Sequence, residues 1–342
     1  AFSQEGSLEL YNSVSAGPES LQLLDSGECI FLACGHCSCA NLLVLDRRGQ
    51  VLQQRQVAPQ PDGVTSAGST APLLQCCLVS ASDRHFLVLL THQSAQFFDA
   101  DGTALLLCHS LKGAAASESL PLRGVCGLAE AGLLCVGTAS GELLIFDCPP
   151  GAAPVSHRGT QAVASGSSGP AASVNTLTSL EASPIGSGGF AAGFADGAVC
   201  VGLISGGKVR LLSRVLSNQD GWPVNAFGLF NDGEFLLAGC GDGGLRAFQC
   251  KGMELVAEIG AHARLITGLD VCEKTGLMVT CSEDTSFRAW QLSDEGGNLL
   301  IKHLSCTVVP NQMLQGCAFL QSDRRLLTVT FESNEIRVFA RK

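Results

Sequence analysis

A histidine, an aspartate and a hydroxyl in the last third of the chain have residue types that could form a nucleophilic triad. His262 and Asp284 would supply the base and the carboxylate, and the nucleophile would be Thr280 or, alternatively, Ser282. The same types also suit a buried hydrogen-bond chain that ends at an indole N–H and leaves no polar group unpaired. Their spacing favours this second role, so we predict a structural tetrad and no catalytic residue. The tetrad members are His262, Thr280, Asp284 and Trp290.

The cysteine-rich segment at residues 34–39, CGHCSC, is the second candidate for chemistry. It contains a Cys-Gly-His-Cys redox motif, but that motif works at the start of a helix in a thioredoxin-like unit, and here it joins two strands. Zinc could be held by Cys34, Cys37 and Cys39 with His36, since a hairpin would bring Cys34 and Cys39 together. No second ligand pair lies at zinc-finger spacing. We expect an ordinary turn with no metal or cofactor, and zinc stays the open alternative.

The composition limits the classes of partner. A formal net charge of −10 and a pI near 5.1 argue against nucleic acid and anionic membranes as main partners. No apolar run approaches the ~20 residues of a membrane helix, and the N-terminus lacks the pattern of a signal peptide. The 17 cysteines are odd in number, and many lie in strand-like runs as small apolar side chains. They therefore predict a reducing compartment, the cytoplasm.

A repeat becomes visible when the residues that follow each third strand are aligned. Seven such positions occur, and most of them follow an aromatic residue, as in AQFFD and FRAWQ. Short apolar runs bounded by Gly, Asp and Ser lie upstream of each, which is typical of the four-stranded blades of WD-repeat propellers. The seven positions, one per predicted blade, are Asp46, Asp99, Asp147, Ser205, Gln249, Gln291 and Ala340.

We therefore predict an all-β fold, a single seven-bladed WD-repeat β-propeller that occupies residues 1–342 as one domain. The last blade has only three strands of its own. The N-terminal segment at residues 7–12 would supply its fourth strand, with Leu8 to Tyr11 paired to Glu335 to Phe339, and close the ring, which removes exposed sheet edges. The blades are expected at approximately residues 20–57, 73–111, 122–158, 174–215, 224–259, 265–304 and 313–340.

The connections between strands predict a loop-rich face. Three long connections follow blades one to three and share this face with the loop that carries Trp222, a residue able to anchor a partner. The alternatives are that the long connections are tolerated insertions and that Trp222 packs against its own loop. The long connections are residues 58–72, 112–121 and 149–172.

Polar and acidic turns are expected on the same face. Together with the negative net charge they predict a partner protein with a basic surface. The opposite face has shorter connections, such as residues 46–49 and 322–324. We predict partner binding on the loop-rich face, centred near Trp222. The turns that would contribute carry His36, Asp196, Asp242 and Glu283.

Three segments carry a resemblance to a known family. They read LLCVGTASGELLIFDCP at residues 133–149, GAHARLITGLDV at 260–271 and GLMVTCSEDTSFRAWQLS at 276–293. These segments resemble the WD repeat-containing protein 54 family, and the blade order is similar from about His85 to Phe339. The resemblance implies a non-enzymatic propeller that acts as a protein-binding scaffold within a larger complex. It also implies an alternative, a structural subunit of a ciliary or microtubule-based assembly with a ciliary or axonemal location.

Overall fold

A computed structural model of the chain describes residues 2–15, 17–61, 71–111, 122–163, 172–321 and 323–342. Within these ranges the chain forms 28 β-strands in seven four-stranded antiparallel sheets. No described segment is a helix that could span a bilayer. The sheets are the seven blades of a β-propeller, which confirms the predicted fold class.

The strand order is regular around the ring. The N-terminal strand β1 (Phe2–Glu9) belongs to blade seven, and every other blade takes four consecutive strands. Blade one contains β2 (Leu21–Asp25), β3 (Ile30–His36), β4 (Cys39–Leu45) and β5 (Val51–Val57). Blade two contains β6 (Leu73–Ala81), β7 (Arg84–Thr91), β8 (Ser94–Asp99) and β9 (Leu105–Ser110). Blade three contains β10 (Leu122–Leu128), β11 (Leu133–Thr138), β12 (Glu142–Asp147) and β13 (Ser156–Ala162).

The remaining blades follow the same plan. Blade four contains β14 (Val174–Ser179), β15 (Gly189–Phe194), β16 (Ala198–Ser205) and β17 (Lys208–Leu216). Blade five contains β18 (Val224–Phe230), β19 (Phe235–Cys240), β20 (Gly244–Gln249) and β21 (Glu254–Gly260). Blade six contains β22 (Ile266–Cys272), β23 (Leu277–Ser282), β24 (Ser286–Asp294) and β25 (Leu299–Val308). Blade seven contains β26 (Leu314–Leu320), β27 (Arg325–Thr330), β28 (Glu335–Arg341) and β1.

Burial along each strand reflects its position in the blade. The second strands are apolar and covered on both faces, so every position of β15 and β19 is buried. The outer strands instead alternate between exposed and half-buried positions, as β17 does along its whole length. An alternation of period two is the pattern of a strand with one solvated face.

Apolar clusters fill the spaces between neighbouring blades. Each of the seven clusters combines side chains from two adjacent blades, and together they occupy all seven junctions. At the junction of blades two and three, for example, the rings of Phe97 and Phe146 have centroids 4.6 Å apart. The core is therefore a ring of inter-blade contacts, and every blade depends on both of its neighbours.

The ring closes where β1 pairs with β28. The antiparallel register places Phe2 opposite Arg341 and Leu8 opposite Ile336. The strand lies earlier than the expected residues 7–12, because the chain leaves the sheet at Leu10. That residue is buried at the junction of blades seven and one, and its N–H donates to the carbonyl of Asn334 at 2.7 Å.

The other blade boundaries differ mainly at the outer strands. The innermost strands of blades one to seven begin within one residue of the expected starts. In contrast, β13 continues to Ala162 and β25 to Val308, beyond the expected ends at 158 and 304. Outer strands carry polar and exposed residues, so the apolar pattern that defines a strand in the sequence is weak there.

Phe2 allows the closure to be tested by a single substitution. Its side chain is buried and lies edge-on to Phe287 of blade six, with ring centroids 6.0 Å apart. Removing the ring should leave a cavity, so Phe2→Ala should lower the free energy of unfolding by about 2–4 kcal/mol in chemical denaturation. Gln4→Ala, at an exposed position of the same strand, is the control. Equal stability of the two variants would show that β1 does not contribute to closure.

Candidate functional site

The predicted tetrad residues lie together in blade six. The His262 ring is held from both sides, with Nδ1 2.9 Å from Asp284 Oδ2 and Nε2 2.9 Å from the Thr280 hydroxyl. The indole N–H of Trp290 donates to the same hydroxyl at 3.0 Å. Four side chains from a loop, a strand, a turn and the next strand are thereby joined into one hydrogen-bond chain.

The carboxylate of Asp284 ends this chain. Burial would raise its pKa, but hydrogen bonds from His262, from the Ser286 hydroxyl and from the Ala263 N–H outweigh burial and hold the pKa well below its usual range. The Ser286 and Ala263 bonds measure 2.6 and 3.0 Å. The aspartate is therefore a negatively charged anchor that fixes the turn and the entering loop.

The tetrad geometry does not suit nucleophilic attack. The Thr280 side chain is completely buried and already bonds to both His262 and Trp290, so a substrate carbonyl has no approach to its oxygen. Ser282, the alternative hydroxyl, donates instead to the carbonyl of Arg264 at 3.1 Å. It lies outside the chain and supports the β23–β24 turn.

The cysteine-rich segment forms the tip of the β3–β4 hairpin. Cys34 and Cys39 are buried and Cys37 is exposed. Cys39 pairs with His36 rather than with Cys34, because the register sets Cys34 opposite Asn41. The His36 ring bonds to the Ser38 hydroxyl at 2.9 Å. No set of three potential metal ligands occurs among the described residues.

All 17 cysteines lie in the described part of the chain, and none of them forms a disulfide. Most are buried in the inter-blade core, where desolvation raises the pKa of thiols such as Cys76 and Cys148 to about 12. Such thiols are protonated at neutral pH and behave as small apolar side chains. Cys37 and Cys306 are exposed.

The loop that carries Trp222 has a fixed backbone and an exposed side chain. The buried amide of Asn218 clamps the loop, because its Nδ2 donates to the Trp222 carbonyl at 2.8 Å and its Oδ1 accepts the Trp222 N–H at 2.7 Å. Trp222 is 49% exposed, so about half of its surface is open to solvent. Leu216, 63% exposed, lies opposite Ala198 at the neighbouring turn.

Two of the predicted acidic turns flank this loop, but their charges are compensated. Asp196 pairs with Arg214 at 2.7 Å, and Asp242 forms two bonds to Arg246 at 3.0 and 2.6 Å. The pairing is local to each blade. These aspartates therefore offer a basic partner less free charge than their number implies. Asp220, two residues before Trp222, is exposed and has no ion pair among the described residues.

The other predicted contact residues lie on the same face. His36 and Glu283 are both half-buried and occupy second-to-third strand turns, in blades one and six. Of the long connections, residues 112–121 lie entirely outside the described residues. Residues 62–70 of the first and 164–171 of the third also lie outside them, so the structure does not place these parts on a face. The expected third connection at residues 149–172 is wrong in its bounds, because Ser156–Ala162 pair with β12 as the outer strand of blade three.

An acidic residue that sequence reasoning did not select lies inside the axial channel. Glu19 precedes β2, and its chain segment crosses to the far side of the ring, where its carboxylate accepts a 3.0 Å hydrogen bond from the hydroxyl of Thr176 in blade four. Its N–H donates to the carbonyl of Thr267 in blade six at 2.7 Å. Glu19 thus links three blades at the inner end of a cavity of about 1260 Å³.

Enclosure by the ring changes the ionisation of Glu19. The side chain keeps some contact with water in the channel, but protein surrounds it on all sides. Burial raises the pKa from 4.5 to about 7, although hydrogen bonds from Thr176 and the Phe227 N–H and the charge of Arg123 lower it. The sequence gives little sign of this role, because a lone acidic residue in a loop belongs to no periodic pattern. The one distinguishing feature of Glu19 is its position directly before the first inner strand.

Comparison with known sequences decides the family. A sequence model of the WDR54 family matches residues 1–341. The chain belongs to the WDR54 family. Human WD repeat-containing protein 54 is 28% identical over 354 residues and covers 99% of each chain. The mouse protein of the same name is 27% identical over 331 residues, which cover 93% of this chain and 92% of its own.

Comparison with solved structures shows the same architecture. A chain in the crystal structure of the Mitotic Checkpoint Complex aligns with a TM-score of 0.71 over 99% of this chain and 92% of its own. Its sequence is 13% identical, so this likeness concerns the fold alone. WD-repeat propellers typically bind other proteins, and membership of the WDR54 family supports an interaction scaffold in general terms.

The tetrad generates a stability prediction. Asp284→Ala removes the acceptor for His262, Ser286 and Ala263, so it should lower the free energy of unfolding by about 1–3 kcal/mol at neutral pH. Because the folded pKa of Asp284 is lowered, the difference should shrink as the pH falls through that pKa. Denaturation of this variant beside the exposed control Asp220→Ala measures it. An Asp284→Ala variant with full stability and a lost binding activity would show that the residue is a functional site.

Glu19 generates a pH prediction. Between pH 4.5 and 7 the folded chain keeps a proton on Glu19 that the unfolded chain has released, so this residue makes stability fall as the pH rises. Glu19→Gln should remove that slope. Between pH 4.5 and pH 7, the free energy of unfolding of the variant should therefore rise by about 1–3 kcal/mol relative to that of the native chain. Urea titrations across this range are the measurement. A difference that stays constant with pH would contradict the raised pKa.

Proposed function

We propose that the protein is a non-catalytic scaffold that binds a partner protein on its loop-rich face, with Trp222 as the anchor. The observation that carries the proposal is an indole that is half exposed on a backbone clamped by Asn218. An aromatic side chain has few rotatable bonds, so on a fixed backbone it loses little conformational entropy on binding, and aromatic residues are enriched among the residues that dominate the energetics of protein interfaces. The exposed Leu216 at the neighbouring turn extends the apolar surface.

Electrostatics favours a partner with basic residues at the rim of this surface. Asp220 beside the anchor and Glu283 in blade six are two acidic groups without an ion pair among the described residues. Asp196 and Asp242 add less, because each is already paired with an arginine. Rim charges of this kind act mainly on the association rate and on its salt dependence.

The non-catalytic part of the proposal rests on the tetrad. The tetrad has the residue types of a hydrolytic triad, but a substrate cannot reach its hydroxyl, since Thr280 is buried and its hydroxyl already has two hydrogen-bond partners. The proposal also places the protein in the cytoplasm, because thiols make up much of its core and a reducing compartment preserves them. A role as a permanent subunit of a ciliary or microtubule-based assembly remains the second candidate.

Substitution at the anchor tests the docking face. Trp222→Ala combined with Asp220→Lys should weaken the principal complex about tenfold or more, measured by quantitative co-purification with the full chain. Asp220 is a better choice than Asp242, because Asp242→Lys would set a second cation against Arg246 and disturb the blade. The melting temperature should not change.

The matched control is Leu300→Ala, an exposed apolar residue on the outer strand of blade six. It should leave the complex intact. If the Trp222 variant also leaves it intact, or if changes on the short-loop face alone disrupt it, the assigned face is wrong. Cross-linking with mass spectrometry then separates the two candidates, since neighbours that exchange indicate a scaffold and neighbours that persist indicate a subunit.

A further inference from the structure

Two turns with the sequence Asp-Arg-Arg meet on the face opposite Trp222. Residues 46–48 connect β4 to β5 in blade one, and residues 323–325 connect β26 to β27 in blade seven. The turns touch, because the Arg325 guanidinium donates to the carbonyl of Arg48 at 3.3 Å. Both pairs of arginines line the axial cavity at the end away from Glu19. The fold thus joins two short basic motifs that lie far apart in the sequence.

Five cations line this cavity, in a chain that has only 21 lysines and arginines, and five carboxylates line it as well. What matters for binding is therefore which of these charges are already paired. Two of the cations already have carboxylate partners. Arg47 forms an ion pair with Asp25, and Arg325 forms one with Glu5 at 3.0 Å. The five cations are Arg47, Arg48, Lys274, Arg324 and Arg325.

The other three cations lack partners. Arg48, Lys274 and Arg324 are exposed and have no carboxylate within ion-pair distance in the described part of the chain. They belong to turns of blades one, six and seven, which are consecutive around the ring. A row of unpaired cations therefore follows one side of the cavity mouth.

The carboxylates that line the same cavity are occupied by other groups. Glu181 accepts three backbone N–H bonds at 3.0 Å, Asp270 accepts two, and Asp323 faces Arg341. Asp270 is also enclosed, and burial raises its pKa. These acidic groups are held in place by the backbone or by an arginine of their own blade. They leave the three cations free for an external anion.

We propose that this mouth binds a linear acidic segment of a partner protein, rich in Asp or Glu. Cations spread over turns of three blades match several carboxylates along an extended chain better than one compact anion. Guanidinium groups bind carboxylates with two parallel hydrogen bonds, which suits Arg48 and Arg324. The cavity of about 1260 Å³ behind them has room for the side chains of such a segment. The site lies opposite Trp222 and does not depend on the proposed function.

Fluorescence anisotropy with the full chain tests the site. The probe is a short labelled peptide of alternating Glu and Ser, compared with the same peptide in which Gln replaces Glu. Arg48→Glu combined with Arg324→Glu should weaken binding of the acidic peptide about tenfold or more, since it replaces two attractive charges with repulsive ones. Added salt should weaken binding to the native chain.

Lys208→Glu combined with Lys302→Glu is the matched control, because both lysines are exposed on outer strands and the change in net charge is identical. It should lower affinity less than about twofold. Equal binding of the Glu and Gln peptides, or equal loss in both double variants, would overturn the proposal. So would binding of a phosphoserine peptide or inositol hexakisphosphate without binding of the Glu peptide. Trp222→Ala should leave this assay unchanged, which separates it from the test of the other face.

Discussion

The structure depends on the apolar contact between neighbouring blades. A four-stranded blade has two apolar faces and cannot cover either one alone, so each blade is stable only between two others. Seven clusters at seven junctions satisfy this requirement, and the pairing of β1 with β28 completes the last of the blades. The N-terminal strand covers an edge and part of a core that β28 would otherwise leave exposed.

A closed ring gives the polar groups fixed positions. Enclosed polar groups hold the fold together, and exposed ones are available to a partner. The His262 tetrad is enclosed and holds a loop to a turn in blade six, whereas Glu19 joins blades across the channel. The backbone of Trp222 is held by the Asn218 amide, and its side chain is half exposed. The two faces also differ in chemistry. One presents the half-exposed Trp222 beside Asp220, and the other presents unpaired cations at the mouth of a cavity.

The sequence predicts most of the fold because blade signals are local. Turn residues and strand alternation recur every blade, and they set the starts of the inner strands to within one residue. The tetrad residues could also be named, because their spacing within one repeat is regular. What could not be predicted depends on contacts between distant segments. Glu19 reaches Thr176 across the ring, and the arginine turns at residues 46–48 and 323–325 meet only through closure. The pairing of Asp242 with Arg246 was detectable in principle, since the two residues lie four positions apart, in a turn and in the strand that follows it.

The central claim is that a rigid propeller presents its loop-rich face, centred on Trp222, to a partner protein. Hydrogen-exchange mass spectrometry of the chain alone and in its principal complex tests this most directly, because it reports protection along the whole backbone. The account predicts new protection at residues 217–223 and at the flanking turns around Gly197 and Gly243, with β1 and the inner strands unchanged. Protection confined to the outer strands or to the short-loop face, with no change at residues 217–223, would contradict it.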